Sequence, residues 1–296
     1  MDDEFRIVAL IGKYYSTSPE VAAAVARLAA FLRGRGLEVW IDPRTAEVIG
    51  PDATLRVATF DEIGEGVDLA IVLGGDGTML TAARALGLHH LPLVGVNQGR
   101  LGFLTDVPHD QMCERVGEIL DGRYLRERRS LLEVELWRGE QHVSSGMALN
   151  DIVLSRGEIG RMIEFRLSVD GEYLYSLRSD GIIIATPTGS TAYALSANGP
   201  ILHPRLAGIV LVPLCPHALT YRPLALAHDS VVELEVIGTR GGVVHCDGQT
   251  LFEARIGDVV RVVRSQQAVT FLHPEDYSYF NVLREKLHWS TLPHLS

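Results

Sequence analysis

Short apolar runs alternate with amphipathic stretches over the first third of the chain. Four of these runs predict β-strands, at residues 6–11, 37–41, 68–73 and 91–96. A Ser-Pro-Glu start and apolar residues at helical spacing predict a helix over residues 18–33, which Gly34 ends. A second helix is predicted over residues 79–86. Apolar strands that alternate with helices predict a parallel sheet covered on both faces.

The hydrophobic pattern changes after the charged segment 123–129. Period-2 alternation there indicates half-buried strands at residues 132–136, 231–237 and 259–263. The pair Asp170-Gly171 lies between two further strand-like runs and predicts a hairpin. The aromatic tail, residues 276–289, is expected to be helical. We therefore expect an α/β domain with a Rossmann-like parallel sheet over residues 1–128 and a β-rich domain over residues 129–275.

Composition narrows the classes of function. The 296-residue chain has 27 Lys and Arg against 37 Asp and Glu, a formal net charge of −10, which disfavours binding nucleic acid or an anionic membrane through bulk charge. A hydrophobic fraction of 47% argues against wholesale disorder. Three scattered cysteines without a C-x-x-C pair disfavour a disulfide framework or a cysteine-based zinc site. The acidic N-terminus and the prolines that break the most apolar stretch predict a cytoplasmic protein.

A glycine-rich turn, Leu-Gly-Gly-Asp-Gly-Thr at residues 73–78, lies between a predicted strand and a predicted helix. Glycines let a backbone approach a ligand closely, and a helix N-terminus favours a phosphate. Asp76 in that turn would repel a phosphate unless a cation or a proton transfer compensates. The combination suggests phosphoryl transfer, with Asp76 as the base for a hydroxyl and Mg²⁺ nearby. The alternative is an Asp-Gly turn that only caps a helix.

Two better-known phosphate-binding motifs are absent from the sequence. Gly12-Lys13 lacks the upstream glycine of a P-loop, and no G-x-G-x-x-G follows a predicted strand. Hydride transfer on a standard dinucleotide-binding domain is therefore disfavoured.

Two further segments suit a polar ligand. The hydroxyl-rich residues 186–196 follow a buried-looking strand and offer amides, hydroxyls and the Tyr193 ring to a flat ligand, although an ordinary Ser/Thr-rich loop has the same composition. Asn150-Asp151 lies between apolar residues and needs partners, which the vicinal hydroxyls of a ribose would supply; a strand end or bulge explains the pair equally well.

Residues 245–249 (His-Cys-Asp-Gly-Gln) are more typical of a hairpin turn than of a metal site.

These segments, in this order, resemble the NAD kinase family, and its proteobacterial branch most. The glycine-rich turn alone is also similar to turns in 6-phosphofructokinases and in diacylglycerol and sphingosine kinases. The longer segment 180–193 is more specific, and residues 101–104, 160–165 and 276–280 match too, so that the resemblance covers nearly the whole chain. It implies an α/β domain, a β-rich sandwich-like domain and a C-terminal tail, residues 276–296, that returns to the first domain.

The resemblance also implies the reaction and its requirements. Phosphate passes from ATP to the 2′-hydroxyl of the adenosine ribose of NAD, which makes NADP. Mg²⁺ or another divalent cation is expected with the nucleotide, and the enzyme is expected to be a homodimer or homotetramer. ATP and inorganic polyphosphate remain alternative donors at this stage, and no protein metal ligand is assigned.

The resemblance assigns roles to individual residues. Asp76 is implied as the catalytic base, and Gly77 lies against the dinucleotide phosphates. Asn150 and Asp151 take the place of the Asn-Glu/Asp pair that holds the dinucleotide, and Asp180 lies near the nicotinamide ribose. The further dinucleotide-binding positions that it implies are Phe103, Arg161, Arg178, Thr188, Thr191, Ala192, Tyr193, Ala194, Leu195, Ser196 and Gln249.

Two other functions retain part of this pattern. A sugar or lipid kinase built on the same glycine turn would leave Asn150-Asp151 and residues 188–193 without a role. A non-catalytic dinucleotide sensor would keep the binding segments without needing Asp76. Asn198 stands where the family usually has Gly, a change that affects only a turn, because Asn also tolerates left-handed backbone.

Overall fold

The computed structural model describes residues 5–12, 19–50, 52, 54–99, 101–156, 162–217, 220–238 and 241–289. The chain forms two compact units, one of residues 1–128 and 269–296 and one of residues 129–268. The helices are α1 (Pro19–Gly34), α2 (Pro43–Ile49), α3 (Phe60–Gly66), α4 (Asp76–Leu86), α5 (Met112–Leu120), α6 (Tyr193–Ser196) and α7 (Tyr279–Lys286). Single 3-10 turns cover Gly87–His89 and Gly189–Thr191.

The strands lie in the two regions that differ in their hydrophobic pattern. Those up to residue 97 are β1 (Ile7–Gly12), β2 (Glu38–Ile41), β3 (Arg56–Val57), β4 (Leu69–Gly74) and β5 (Leu93–Asn97). The next are β6 (Leu125–Arg138), β7 (Gln141–Ala148), β8 (Asp151–Arg156), β9 (Ile163–Val169), β10 (Glu172–Ser179) and β11 (Gly181–Ala185). The last are β12 (Gly208–Leu214), β13 (Leu224–Ala227), β14 (Val232–Val236), β15 (Gly242–Cys246), β16 (Gln249–Ala254) and β17 (Asp258–His273).

The first unit contains the predicted parallel sheet. Its strand order is β17-β5-β4-β1-β2-β3, in which Phe271 near the end of β17 pairs in parallel with Leu93 of β5. The apolar face of α1, including Val25, Leu28 and Leu32, packs with the strands in one core. Because all these strands run the same way, their carboxyl ends share one edge of the sheet, the edge where ligands bind in open α/β folds.

Helices α2 and α3 begin at local capping signals. Thr59 and Glu62 form a capping box at the start of α3, and the Asp42 carboxylate caps α2 just before Pro43. The helix predicted in the aromatic tail is confirmed as α7, which belongs to the first unit and begins at the N-cap Ser278.

The second unit is the predicted antiparallel β domain. One sheet has the order β13-β12-β11-β8-β15-β16, and the other contains β10-β9-β14-β17, with β6 beside β17 and β7 beside β6. Ile182 and Ile184 of β11 enter the core that both sheets share, whereas Ile183 and Ala185 enter a second core on the opposite face. Strand β11 is therefore a continuous apolar run because both of its faces are buried.

Two turns confirm predictions made from single residue types. Asp170 (φ 52°) and Gly171 (φ 79°) join β9 to β10 in the left-handed conformation that a two-residue hairpin requires. Asn198 also has left-handed backbone, with φ 62°. Among the residues that the structure describes, no helix has the length and apolar character needed to cross a membrane.

Candidate active site

The glycine-rich turn joins β4 to α4 at the carboxyl edge of the parallel sheet. Gly75 is the N-cap and Asp76 the first residue of α4. The half-buried Asp76 carboxylate accepts N–H bonds from Phe103 at 3.0 Å and from Leu104 at 2.9 Å, one on each oxygen. The ammonium group of Lys286 lies 5.7 Å from the centre of the Phe103 ring. Two backbone amides thus fix the orientation of the Asp76 carboxylate, while each oxygen keeps a lone pair for a ligand.

Glycine at position 102 is required by this arrangement. A Cβ on Gly102 would lie 2.2 Å from Asp76 Oδ1 and 2.3 Å from Thr105 Oγ1, far inside van der Waals contact. A Cβ on Gly75 or Gly77, by contrast, would meet no described atom within 4 Å. The open space beside these two glycines suits a ligand that approaches the backbone of the turn.

Part of the hydroxyl-rich segment serves the fold rather than a ligand. The Thr186 hydroxyl donates to the Leu149 carbonyl at 2.6 Å. The fully buried Ser190 hydroxyl donates to the Pro187 carbonyl at 2.6 Å and accepts from the Leu202 amide at 2.9 Å. Sequence reasoning offered all these hydroxyls to a ligand, but buried hydroxyls need internal partners and these two have them.

The same segment lies directly against Asn150. A Cβ on Gly189 would be only 2.0 Å from the Asn150 carbonyl oxygen, so that glycine is required at this contact. Thr188 accepts a hydrogen bond from the Arg129 guanidinium at 3.2 Å, and the Thr191 hydroxyl donates to the Thr188 carbonyl at 3.1 Å. These bonds fix the loop that leads into α6 and Tyr193.

A cavity of about 420 Å³ opens within the second unit, a volume typical of small-molecule sites. Four of its lining residues were candidates from the sequence: Asn150, Asp151, Ala192 and Tyr193. The others are Val153, Ser155, His245, Asp247 and Gly248. Strand β8 presents Asp151, Val153 and Ser155 on one face because alternate residues of a strand point the same way. The Tyr193 side chain is 48% exposed, which leaves its ring accessible to a ligand.

Asp151 is an unusual carboxyl group for a binding site. Its side chain is buried, and burial together with the negative charge of Asp247 raises the pKa of Asp151 to about 7. Burial also lowers the pKa of His245, which lines the same cavity. Near neutral pH, Asp151 therefore presents both a hydrogen-bond donor and an acceptor to a ligand.

This raised pKa predicts a pH-dependent stability. Because the folded state binds the Asp151 proton more tightly than the unfolded chain, the stabilisation is complete below about pH 4 and is lost as the pH rises to about 7. Relative to the wild type, Asp151→Asn should therefore gain about 2–3 kcal/mol in free energy of unfolding between pH 5 and pH 8. Urea unfolding of both proteins at the two pH values measures this. An equal difference in free energy of unfolding between the two proteins at both pH values would contradict it.

The segment 245–249 forms the predicted hairpin turn, with Asp247 (φ 49°) and Gly248 (φ 76°) between β15 and β16. Sequence reasoning missed what the Asp247 side chain does. Its carboxylate accepts N–H bonds from Leu149, Asn150 and Asp151, at 3.1, 2.7 and 3.2 Å. The partners are 96 to 98 residues apart, so that the only local signal was the Asp-Gly pair itself.

Three candidates lie at strand ends rather than in the cavity lining. Asp180 follows β10 and forms an ion pair with Arg156 at 2.7 Å. Arg178 is exposed near the end of β10, and Gln249 is exposed at the start of β16, directly after the cavity residue Gly248.

The three remaining candidates on helix α6 differ in how deeply they are buried. Ala194 belongs to the core on one face of the six-stranded sheet, Leu195 is half-buried and Ser196 is exposed. Arg161 lies outside the described residues. Within the described ranges, no group of three or more His, Cys, Asp or Glu side chains is arranged to hold a metal ion.

Comparison with known proteins gives one consistent family. The model of the ATP-NAD kinase N-terminal domain matches residues 13–124, and that of the ATP-NAD kinase C-terminal domain matches residues 149–274. An NAD kinase of Aromatoleum aromaticum is 58% identical over 99% of this chain and 97% of its own length. An NAD kinase of an Azoarcus species is 56% identical over 99% of both chains.

Solved structures agree with the sequence comparison. Yeast NADH kinase, crystallised with NADH, superposes with a TM-score of 0.89 at 27% identity, over 99% of this chain and 90% of its own. An NAD kinase from Archaeoglobus fulgidus in complex with ATP gives a TM-score of 0.73 at 25% identity, over 95% of this chain and 98% of its own. With both domain models matched and relatives this similar over nearly the full length, the chain belongs to the NAD kinase family.

Proposed function

We propose that this chain transfers the terminal phosphoryl group of ATP to the 2′-hydroxyl of the adenosine ribose of NAD, giving NADP and ADP. The observation that carries the proposal is the Asp76 carboxylate, held by two backbone amides in a glycine-rich turn at the carboxyl edge of the sheet. Relatives named NAD kinase, and structural neighbours crystallised with NADH and with ATP, support the choice of substrates.

Asp76 acts in this mechanism as the general base. As the 2′-oxygen bonds to the γ-phosphorus and the bond from that phosphorus to the ADP oxygen breaks, the hydroxyl proton passes to an Asp76 oxygen. Carboxylates are weak bases, so that this proton moves late in the step. Most of the rate then comes from positioning, which the amides of Phe103 and Leu104 supply by holding the carboxylate still.

The turn that carries Asp76 also suits phosphates. The N-terminus of α4 favours negative charge, and the backbone at Gly75 and Gly77 faces open space. Mg²⁺ is usually held by substrate phosphates, waters and one or two carboxylates, and Asp76 is the carboxylate that this turn offers. When bound with ATP, the cation neutralises phosphate charge.

The cavity of the second unit is proposed to hold the dinucleotide. Asn150 and Asp151 hydrogen-bond ribose hydroxyls, and the accessible Tyr193 ring stacks on a base. Gly77 lies against the dinucleotide phosphates, and Asp180 is proposed to lie near the nicotinamide ribose. The other proposed dinucleotide contacts are Phe103, Arg161, Arg178, Thr188, Thr191, Ala192, Ala194, Leu195, Ser196 and Gln249.

Tyr193→Ala tests the stacking contact. Stacking of a base on an aromatic ring contributes about 1–3 kcal/mol, so that we expect the KM for NAD to rise about fivefold or more with kcat within about threefold of the wild type. Tyr173→Ala removes a similarly exposed tyrosine from β10 and serves as the control. An unchanged KM for NAD in Tyr193→Ala would remove stacking from the proposal.

A coupled assay tests the function itself. Purified protein is mixed with ATP, Mg²⁺ and NAD, and an NADP-specific dehydrogenase reports the product. We expect NADP in amounts equal to the ADP formed. NAD binding without NADP formation would indicate a sensor, and phosphorylation of a sugar or lipid instead of NAD would indicate a different kinase.

We also propose a cytoplasmic homodimer or homotetramer. Large apolar side chains that are exposed in the single chain, among them Phe280 and Trp289 at 61% each, are available for contacts between copies. Light scattering during size-exclusion chromatography measures the mass directly.

A further inference from the structure

Two distant segments hold the backbone of three residues before and at the start of β8, namely Leu149, Asn150 and Asp151. Their three N–H groups donate to the Asp247 carboxylate. The carbonyls of Leu149 and Asn150 accept from the hydroxyl and the amide of Thr186, and the Asp151 carbonyl accepts from the Asp247 amide. All six backbone polar groups of residues 149–151 are thereby satisfied, half of them by one carboxylate.

We propose that Asp247 is a positioning residue, whose carboxylate pre-forms the dinucleotide site by fixing the backbone from which Asn150 and Asp151 project into the cavity. This rests on the proposed function, because it takes NAD as the ligand of that cavity. Asp247 lines the same cavity, on the turn that follows the cavity residue His245. Its effect on the reaction passes through Asn150 and Asp151 and not through the transferred phosphate.

The turn geometry alone does not explain aspartate at position 247. A left-handed residue followed by Gly248 at φ 76° is formed as readily by Asn as by Asp. An Asn side chain, however, has a single acceptor oxygen, and its NH₂ group would face N–H donors. Asp247→Asn therefore keeps the turn and the volume of the side chain but leaves at least one amide of residues 149–151 without an acceptor.

The chain offers a matched control at Asp170. Asp170 (φ 52°) also precedes a left-handed glycine in a two-residue hairpin, and its carboxylate also accepts a backbone bond, from Val231 at 2.7 Å. It does not line the cavity. Asp170→Asn therefore repeats the chemical change and the turn without touching residues 149–151.

Calorimetric titration of NAD into the wild type, Asp247→Asn and Asp170→Asn decides the question. We expect Asp247→Asn to bind NAD at least about tenfold more weakly and Asp170→Asn to stay within about twofold of the wild type. In steady-state assays, Asp247→Asn should raise the KM for NAD while kcat and the KM for ATP change less than about threefold. NAD binding by Asp247→Asn within twofold of the wild type, or an equal loss in Asp170→Asn, would overturn the proposal.

Hydrogen exchange of the wild type covers the case in which Asp247→Asn does not fold. The amides of residues 149–151 should be as protected without NAD as those in the middle of β8. Rapid exchange that becomes slow only when NAD is added would show that the ligand, and not Asp247, orders this segment. Both binding and exchange are read without turnover, so that a wild type that makes no NADP would end the proposed function while these measurements still decide the role of Asp247.

Discussion

Asp76→Asn should retain NAD binding and lose at least about two orders of magnitude in kcat, the contribution of a general base. The substituted amide cannot take the proton of the 2′-hydroxyl, whereas the shape of the turn is unchanged. Phe103 and Leu104 donate to different oxygens of Asp76, so that the NH₂ group of Asn would face one of these N–H donors, and a lower melting temperature is expected as well. NAD binding by calorimetry and kcat by the coupled assay separate the two effects.

Asp68→Asn is the matched control for that experiment. The Asp68 carboxylate also accepts two backbone N–H bonds, from Arg6 at 2.8 Å and Ile7 at 2.9 Å, and it precedes β4 instead of following it. Both bonds fall on one oxygen, which the amide oxygen of Asn can replace, so that Asp68→Asn should leave kcat within about twofold of the wild type. Near-normal kcat in Asp76→Asn, or an equal fall in both variants, would remove Asp76 from the role of base.

Gly102→Ala should lower kcat on the order of 10²-fold, because the new methyl group displaces a carboxylate that must sit within a fraction of an ångström. The Cβ would lie 2.2 Å from Asp76 Oδ1, so that the carboxylate or the loop of residues 101–104 has to move. Gly34→Ala, at an exposed glycine with no described atom within 4 Å of the added carbon, is the control and should leave kcat unchanged.

The double variant shows whether Gly102 acts through Asp76. If it does, adding Gly102→Ala to Asp76→Asn should slow the enzyme by much less than the same change slows the wild type. If the two substitutions instead lower kcat by independent factors that multiply in the double variant, Gly102 matters for another reason, such as the packing of the Thr105 side chain.

The parts of the fold that follow local rules could be predicted from the sequence. The alternation of apolar strands with helices gave the parallel sheet, and Asp170-Gly171 gave the β9–β10 hairpin. Helix α3 was missed although Thr59 and Glu62 carry a capping-box spacing, because a helix from Phe60 to Gly66 is too short for a clear apolar period.

The candidate site was predictable where a residue type alone suggests chemistry. Asp76 and Tyr193 were predicted as site residues because a carboxylate in a glycine-rich turn, and an aromatic ring in a polar loop, are unusual. Gly102 and Asp247 act through atoms 26 and about 97 residues away, and a single sequence carries no sign of such contacts. The sequence also could not show that the hydroxyls of Thr186 and Ser190 point inward, since only the folded backbone shows their internal partners.

A crystal structure of Asp76→Asn with NAD tests the base assignment most directly, because that variant should bind NAD without consuming it. We predict that the side chain at position 76 lies within hydrogen-bond reach, about 2.6–3.2 Å, of the 2′-oxygen of the adenosine ribose. A fully occupied NAD whose adenosine 2′-hydroxyl faces away from that side chain, beyond the reach of one bridging water, would contradict Asp76 as the base for this hydroxyl.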